Sequence, residues 1–175
     1  MLSDLDYNSL EFICLNLREQ DKREIYGMRS HDNPLQLALE SHAYIKNNGR
    51  GVVAWWKGKP CAIAAMSEDW PGVWSIWMFG TDDFKSGAIE LLRWFRKEAN
   101  DILTICKGHR IQCDSIATYA EAHRMIEAMG GRKEHTFRHY GRAYDDGREP
   151  ADYIRFVWLK ECDSAILSPH YKRAV

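Results

Sequence analysis

Apolar positions recur along this chain in two rhythms. From Val73 to Gly80 the run VWSIWMFG is apolar on both faces: Trp74, Ile76 and Met78 point one way, Val73, Trp77 and Phe79 the other. Such a strand belongs in the middle of a sheet covered on each side. After the polar turn TDDFKSG, Phe84, Ala88, Leu91, Leu92, Phe95, Ala99 and Ile102 fall at steps of three and four. That spacing makes a single buried stripe on a long helix. A central strand feeding a helix through a short loop aims the first helical amides at whatever binds above the strand end, a geometry suited to phosphate.

The remaining pattern surrounds this unit. Residues 5–15 (LDYNSLEFICL) are apolar enough to predict a first strand. LREQDKREIYGM reads as a shallowly docked helix with Leu17, Asp21, Ile25 and Met28 on one side. Asn33 or Asp32 and Pro34 open a second helix, which is expected to bury Leu35, Ala38, Leu39, His42 and Ile45 and to stop at Asn47-Asn48-Gly49. GVVAWW and CAIAAM flank the turn Lys57-Gly58-Lys59-Pro60 as a hairpin. Beyond the long helix come a strand (RIQCDSIA), a short helix (TYAEAHRMIEAMGG) and a second hairpin, RKEHTFRHYGRAY with DYIRFVWLK, joined across residues 145–150. Ile154, Phe156 and Trp158 share one face of its last strand. The order predicts one α+β domain over residues 1–160, a mixed sheet of about six or seven strands flanked by about four helices. Residues 161–175 read as a tail.

Composition narrows the class without naming it. The 175 residues carry 45% hydrophobic and 28% charged side chains and a net charge of −1, values of an ordinary globular chain with no bulk affinity for nucleic acid or lipid. No basic, apolar leader opens the sequence and no apolar run reaches the ~18 residues of a membrane span. Five cysteines without a Cys-x-x-Cys pair predict free thiols in a reducing compartment. Seven tryptophans are expected mainly in the core. Cys106, His109 and Cys113 offer three possible metal ligands, but no fourth is near and they straddle a helix end and a strand, so no metal site is expected. Arg132–Arg142, basic with interleaved aromatics, is expected to be a charged sheet edge or a protein-facing surface rather than a nucleic-acid site.

The order of elements, with the unit Val73–Leu103 and the helix AHRMIEAMGG, resembles the GNAT (Gcn5-related N-acetyltransferase) superfamily over residues 5–160. The resemblance implies an acyl-CoA N-acyltransferase fold, with acetyl-CoA held by the fourth strand and the helix after it. In that family the pyrophosphate lies on a Gln/Arg-x-x-Gly-x-Gly/Ala loop, and a tyrosine on the next helix protonates the departing thiolate. Setting the loop on DFKSGA implies Met78, Phe79, Lys85, Ser86, Gly87 and Ala88 as cofactor-binding residues. Three stretches, LREQDKREIYGMR, WMFGTDDFKSGAIELLRWFRKEAND and AHRMIEAMGGRKEHTFRHYGR, also resemble the GNAT-like internal virion or assembly proteins of short-tailed phages.

Here the loop departs from the family. Asp83 stands where Gln or Arg is expected and Ser86 where the first Gly is, while Ile126 takes the place of the tyrosine. Two carboxylates, Asp82 and Asp83, beside a pyrophosphate cost roughly 3 kcal/mol each before screening. His123, Tyr140 and Glu68 remain as candidate proton donors or bases. The reading these departures favour is a non-catalytic or weakly catalytic phage protein acting in virion assembly, in the host cytoplasm or packaged in the virion, with a phage or host protein as partner. The alternative is an active N-acetyltransferase acting on an amine of a protein or small molecule.

Overall fold

The computed structural model describes residues 1–142 and 149–160. Twelve elements follow one another: β1 (Leu2–Asp4), α1 (Tyr7–Leu15), α2 (Glu19–Gly27), α3 (Pro34–Asn48), β2 (Gly49–Trp56), β3 (Lys59–Trp70), β4 (Val73–Gly80), α4 (Phe84–Thr104), β5 (Arg110–Ile116), α5 (Ala120–Ala128), β6 (Arg132–Phe137) and β7 (Tyr153–Leu159). The strands form one sheet in the order β1-β2-β3-β4-β5-β7-β6. All neighbours are antiparallel except β4 and β5. The mixed sheet and five flanking helices give the expected α+β domain.

β4 lies fourth of seven and is covered on both sides, as its two apolar faces require. Trp74 and Ile76 pack with Phe95, Ala99 and Ile102 of α4 and with Phe156 and Trp158 of β7. On the opposite face Phe79 and Trp77 pack with Leu10, Ile13, Leu37 and Ala38 of α1 and α3. Small residues on β2 and β3 let α4 sit close to the sheet. A Cβ at Gly87 would stand 2.6 Å from the Ala54 Cβ and 3.0 Å from the Cys61 Sγ.

Two expectations need correction. Residues 7–15 form a helix, because Asp6 caps it by accepting from the Ser9 amide and the Ser9 hydroxyl. Only Leu2–Asp4 is strand. Asn33 does cap α3, accepting from the Leu35 and Gln36 amides. Its buried stripe, however, is Leu37, Ala38, Ser41 and Ile45, while Leu35 and Leu39 are exposed and His42 is only half-buried. A polar residue at position 41 on the inner face hides that stripe from a hydropathy reading. The connection at 145–150 and the segment 161–175 fall wholly or largely outside the described residues. Among the described residues, no helix is long and apolar enough to cross a membrane.

Candidate active site

The one parallel pair makes the site. β4 and β5 are joined only at Val73–Ser75 with Arg110–Gln112 and then part. From Ile76 onward, the β4 backbone groups directed toward β5 have no strand partner. Buried polar backbone without a partner is costly, so this edge suits an extended ligand that carries amides of its own. The gap is a cavity of about 680 Å³ that reaches both faces of the sheet. Phe84 and Ala88 of α4 with Met125 of α5 line one side; Met28, beside the end of α2, with Ser41 and Tyr44 of α3 lines the other.

α2 closes the open end of the gap. Its first turn is bound to the last residue of β4: the Arg18 amide donates to the Gly80 carbonyl at 3.0 Å, and the Gly80 amide donates to Asp21 Oδ2 at 2.8 Å. From the other bank, the Tyr153 hydroxyl donates to the Glu24 carbonyl, and Gln20 Nε2 donates to the Tyr119 hydroxyl. A helix of nine residues is therefore pinned across the gap with its inner face over the cavity.

Nine charged side chains line this cavity, and eight of them pair. Arg18 holds Asp21 at 2.7 Å, Arg155 holds Asp114 at 2.7 Å, Lys85 reaches Glu121 at 2.8 Å, and Arg29 lies a looser 3.8 Å from Glu40. The ninth, Glu24, has no cation partner among the described residues. Burial raises its carboxyl to about 8. The Ser115 side chain and the Ile116 amide pull it partly down, while Asp21 one turn earlier pushes it up. A carboxyl near neutrality in a cavity is a candidate for proton transfer. Tyr119 is the other titratable group of interest. Burial raises its phenol, so it keeps its proton at neutral pH. Since Gln20 donates to its oxygen, the phenolic proton is free for a further acceptor.

The candidate residues read from the sequence lie in different places. Met78, Phe79, Lys85 and Ala88 line the cavity. Ser86 is exposed in the first turn of α4, and its amide donates to the Asp83 carbonyl. Gly87 is buried on the sheet side of α4, so close helix-to-sheet packing accounts for the absence of its side chain. His123 Nε2 donates to the Ile116 carbonyl at 3.1 Å, its ring packs on Phe156, and burial lowers its imidazole below the ordinary range. Tyr140 is 49% exposed and stacks on Phe137. Glu68 sits at the far end of the sheet, where its Oε1 accepts from the Gly72 amide at 2.8 Å and shapes the β3–β4 turn. None of His123, Tyr140 and Glu68 lines the cavity. Cys113 does line it, whereas Cys106 is exposed, and no cluster able to hold a metal ion occurs among the described residues.

Glu24 and Tyr119 are the residues the sequence reading passed over. The one signal for the first was an acid, Asp21, on the inner face of a helix that otherwise looks solvated. Burying a carboxylate needs a reason, and Glu24 lies one turn further on.

The parting of β4 from β5 beneath a crossing helix defines the class of the fold: it is that of the GNAT acetyltransferases. A ribosomal-protein-alanine N-acetyltransferase from Brucella melitensis superposes with a TM-score of 0.70 at 14% identity, over 91% of this chain and 99% of that one. An N-acetyltransferase from Staphylococcus aureus Mu50 gives 0.70 at 12%, over 91% and 98%. A spermidine N-acetyltransferase from Vibrio cholerae gives 0.66 at 16%, over 92% and 94%. No protein-family model matches the chain, and no curated protein matches it.

The residues present fit acetyl-CoA. The unpaired β4 edge at 76–79 offers main-chain groups to the pantetheine amides. At the start of α4 the Phe84 amide donates to the Thr81 carbonyl, the Ser86 amide donates to the Asp83 carbonyl and Lys85 pairs with Glu121, so a pyrophosphate there would have to draw Lys85 away from Glu121. Asp82 and Asp83 are exposed beside that turn. Replacing one of them, Asp83→Arg, is expected to tighten acetyl-CoA about tenfold, because a repulsive charge becomes an attractive one near a screened surface. Titration calorimetry at low and high salt checks this, and the gain should shrink as salt rises.

Proposed function

We propose that this chain is an acetyl-CoA-dependent N-acetyltransferase in which Glu24 is the general base and Tyr119 the general acid. One observation carries the reading: an open cavity between parted parallel strands holds a single carboxyl with no cation partner among the described residues, and a proton-bearing phenol also lines it. Acetyl-CoA supplies the acetyl group as a thioester, activated for attack by an amine with loss of the thiolate. Glu24, with its carboxyl near 8, is matched to removing a proton from an ammonium and leaving a nucleophilic amine. The β4 main-chain amides facing the gap are placed to hold a carbonyl oxygen as negative charge grows on it. Glu24 passes the first ammonium proton to solvent and takes the second N–H proton as the amide forms; Tyr119 delivers its proton to the departing sulfur and is restored by that second proton through solvent. The products are an amide, a free thiol and one proton released to solvent.

The resemblance to phage virion-assembly proteins rests on three sequence stretches. A purely structural partner has no use for an open cavity with a base in it, so the geometry favours transfer. A thiol-release assay with acetyl-CoA and a panel of primary amines tests the proposal. Turnover above the rate of thioester hydrolysis supports it; protein that binds acetyl-CoA yet releases thiol at the hydrolysis rate with every amine overturns it.

A further inference from the structure

If the acetyltransferase reading holds, the charge pairing in the cavity also specifies the acceptor. Of the four cations lining it, three are committed at 2.7–2.8 Å to their own carboxylates. Arg29 is the exception. It stands 3.8 Å from Glu40, whose oxygens are already engaged by His31 at 3.2 Å and by Gln36 at 2.8 Å. Among the described residues, the only close hydrogen bond of its guanidinium is Nη1 to the Ile25 carbonyl at 3.1 Å, which leaves donors of the planar fork unspent. Both Arg29 and Glu24 line the cavity. They are five residues apart in sequence, Glu24 within α2 and Arg29 two residues past its last residue, Gly27.

The cavity thus offers one cation with spare donors and one carboxyl without a cation partner among the described residues, on one segment and lining one space. We infer that the acceptor is a zwitterionic amino acid, its amine seated at Glu24 and its carboxylate on the Arg29 fork. A guanidinium fork matches a carboxylate with two parallel hydrogen bonds, which a lone ammonium cannot do. The same Arg29 repels a polycation, so a polyamine is disfavoured at this mouth. Burial also holds the Arg29 guanidinium below its ordinary range, which a bound carboxylate would relieve.

Three measurements on the full chain test this together. Calorimetry with acetyl-CoA alone comes first; no binding sinks the acetyltransferase reading itself. Next, kcat/KM is compared for the standard L-amino acids, their carboxamides and spermidine, alongside binding of the same compounds to the CoA-loaded protein. At least a tenfold preference for some amino acid over its own amide is expected. Third, Arg29→Met should abolish that preference by raising KM for the amino acid, leaving kcat and the acetyl-CoA affinity within about twofold. Arg29→Lys should recover part of it. Acetyl-CoA binding without any preference for the carboxylate, a preference for spermidine, or a preference that survives in Arg29→Met overturns the inference.

Discussion

Glu24→Gln is expected to lower kcat by about 10²–10³ at pH 8 while leaving acetyl-CoA affinity unchanged, since removing a positioned general base typically costs that much. The wild-type rate should climb with pH and level off above about 8, following the Glu24 carboxyl. In the variant that rise should flatten, because glutamine takes no proton. The same substitution should stabilise the protein, and the sign follows from linkage. The folded state holds the Glu24 proton up to about 8, whereas an unfolded chain loses it near 4.5. The unfolded state therefore binds fewer protons between those values, and stability falls as pH rises through that window. Below about 4.5 the penalty is absent; above about 8 it is complete. Allowing for water at a half-buried group, we expect roughly 2 kcal/mol, or about 5 °C in Tm, gained by Glu24→Gln at pH 8.5 and almost nothing at pH 4. Calorimetric melts at the two pH values check this. A variant that loses activity without gaining stability at high pH would mean that Glu24 is not the buried, proton-holding group described here.

The largest effect on stability is expected at Trp158. Its side chain is 1% exposed and packs on Phe95 with ring centroids 5.1 Å apart, and its indole donates to the Met129 carbonyl at the end of α5. Gly131 is a glycine at the same contact, since a Cβ there would meet the Trp158 ring at 2.8 Å. Trp158→Ala leaves a cavity and an orphaned carbonyl, a loss of about 3–5 kcal/mol. Because this contact seats α5, and Tyr119 caps that helix, the variant should also lose activity at temperatures where it is still folded. Trp158→Phe keeps most of the packing and should lose clearly less. Denaturant melts of the two variants, with rates measured at 15 °C, separate the stability effect from the effect on the site.

The parts of this fold that were legible in the sequence are those set by local periodicity. β4 is apolar on both faces and is buried on both. The stripe Phe84–Ile102 is the inner face of α4, and the strands of both expected hairpins pair. The departure at residues 7–15 came from a cap: Asp6 and Ser9 outweigh a strand-like composition by satisfying the first helical amides. The gap between β4 and β5 has no local signature at all. It depends on pairing that stops after three residues, and pairing is a property of two segments whose partners lie 37 residues apart. Glu24 was hidden for the same reason. In LREQDKREIYGM it is one charge among many, and only the docking of α2 on Gly80 and Tyr153 makes it an acid in a cavity with no cation partner among the described residues. In the DFKSGA loop the packing is likewise invisible to spacing: Gly87 faces Ala54 and Cys61 because α4 lies close on small sheet residues.

Acetyl-CoA held between the parted strands is the requirement on which the proposed transfer depends. Titration calorimetry of the wild-type protein with acetyl-CoA, repeated with a β4-edge variant such as Met78→Pro, measures this directly. The account predicts one site per chain with micromolar affinity, weakened at least tenfold when the proline removes a main-chain donor from the gap while the melting transition remains cooperative. No heat at millimolar acetyl-CoA, or binding that ignores the change at Met78, would contradict it.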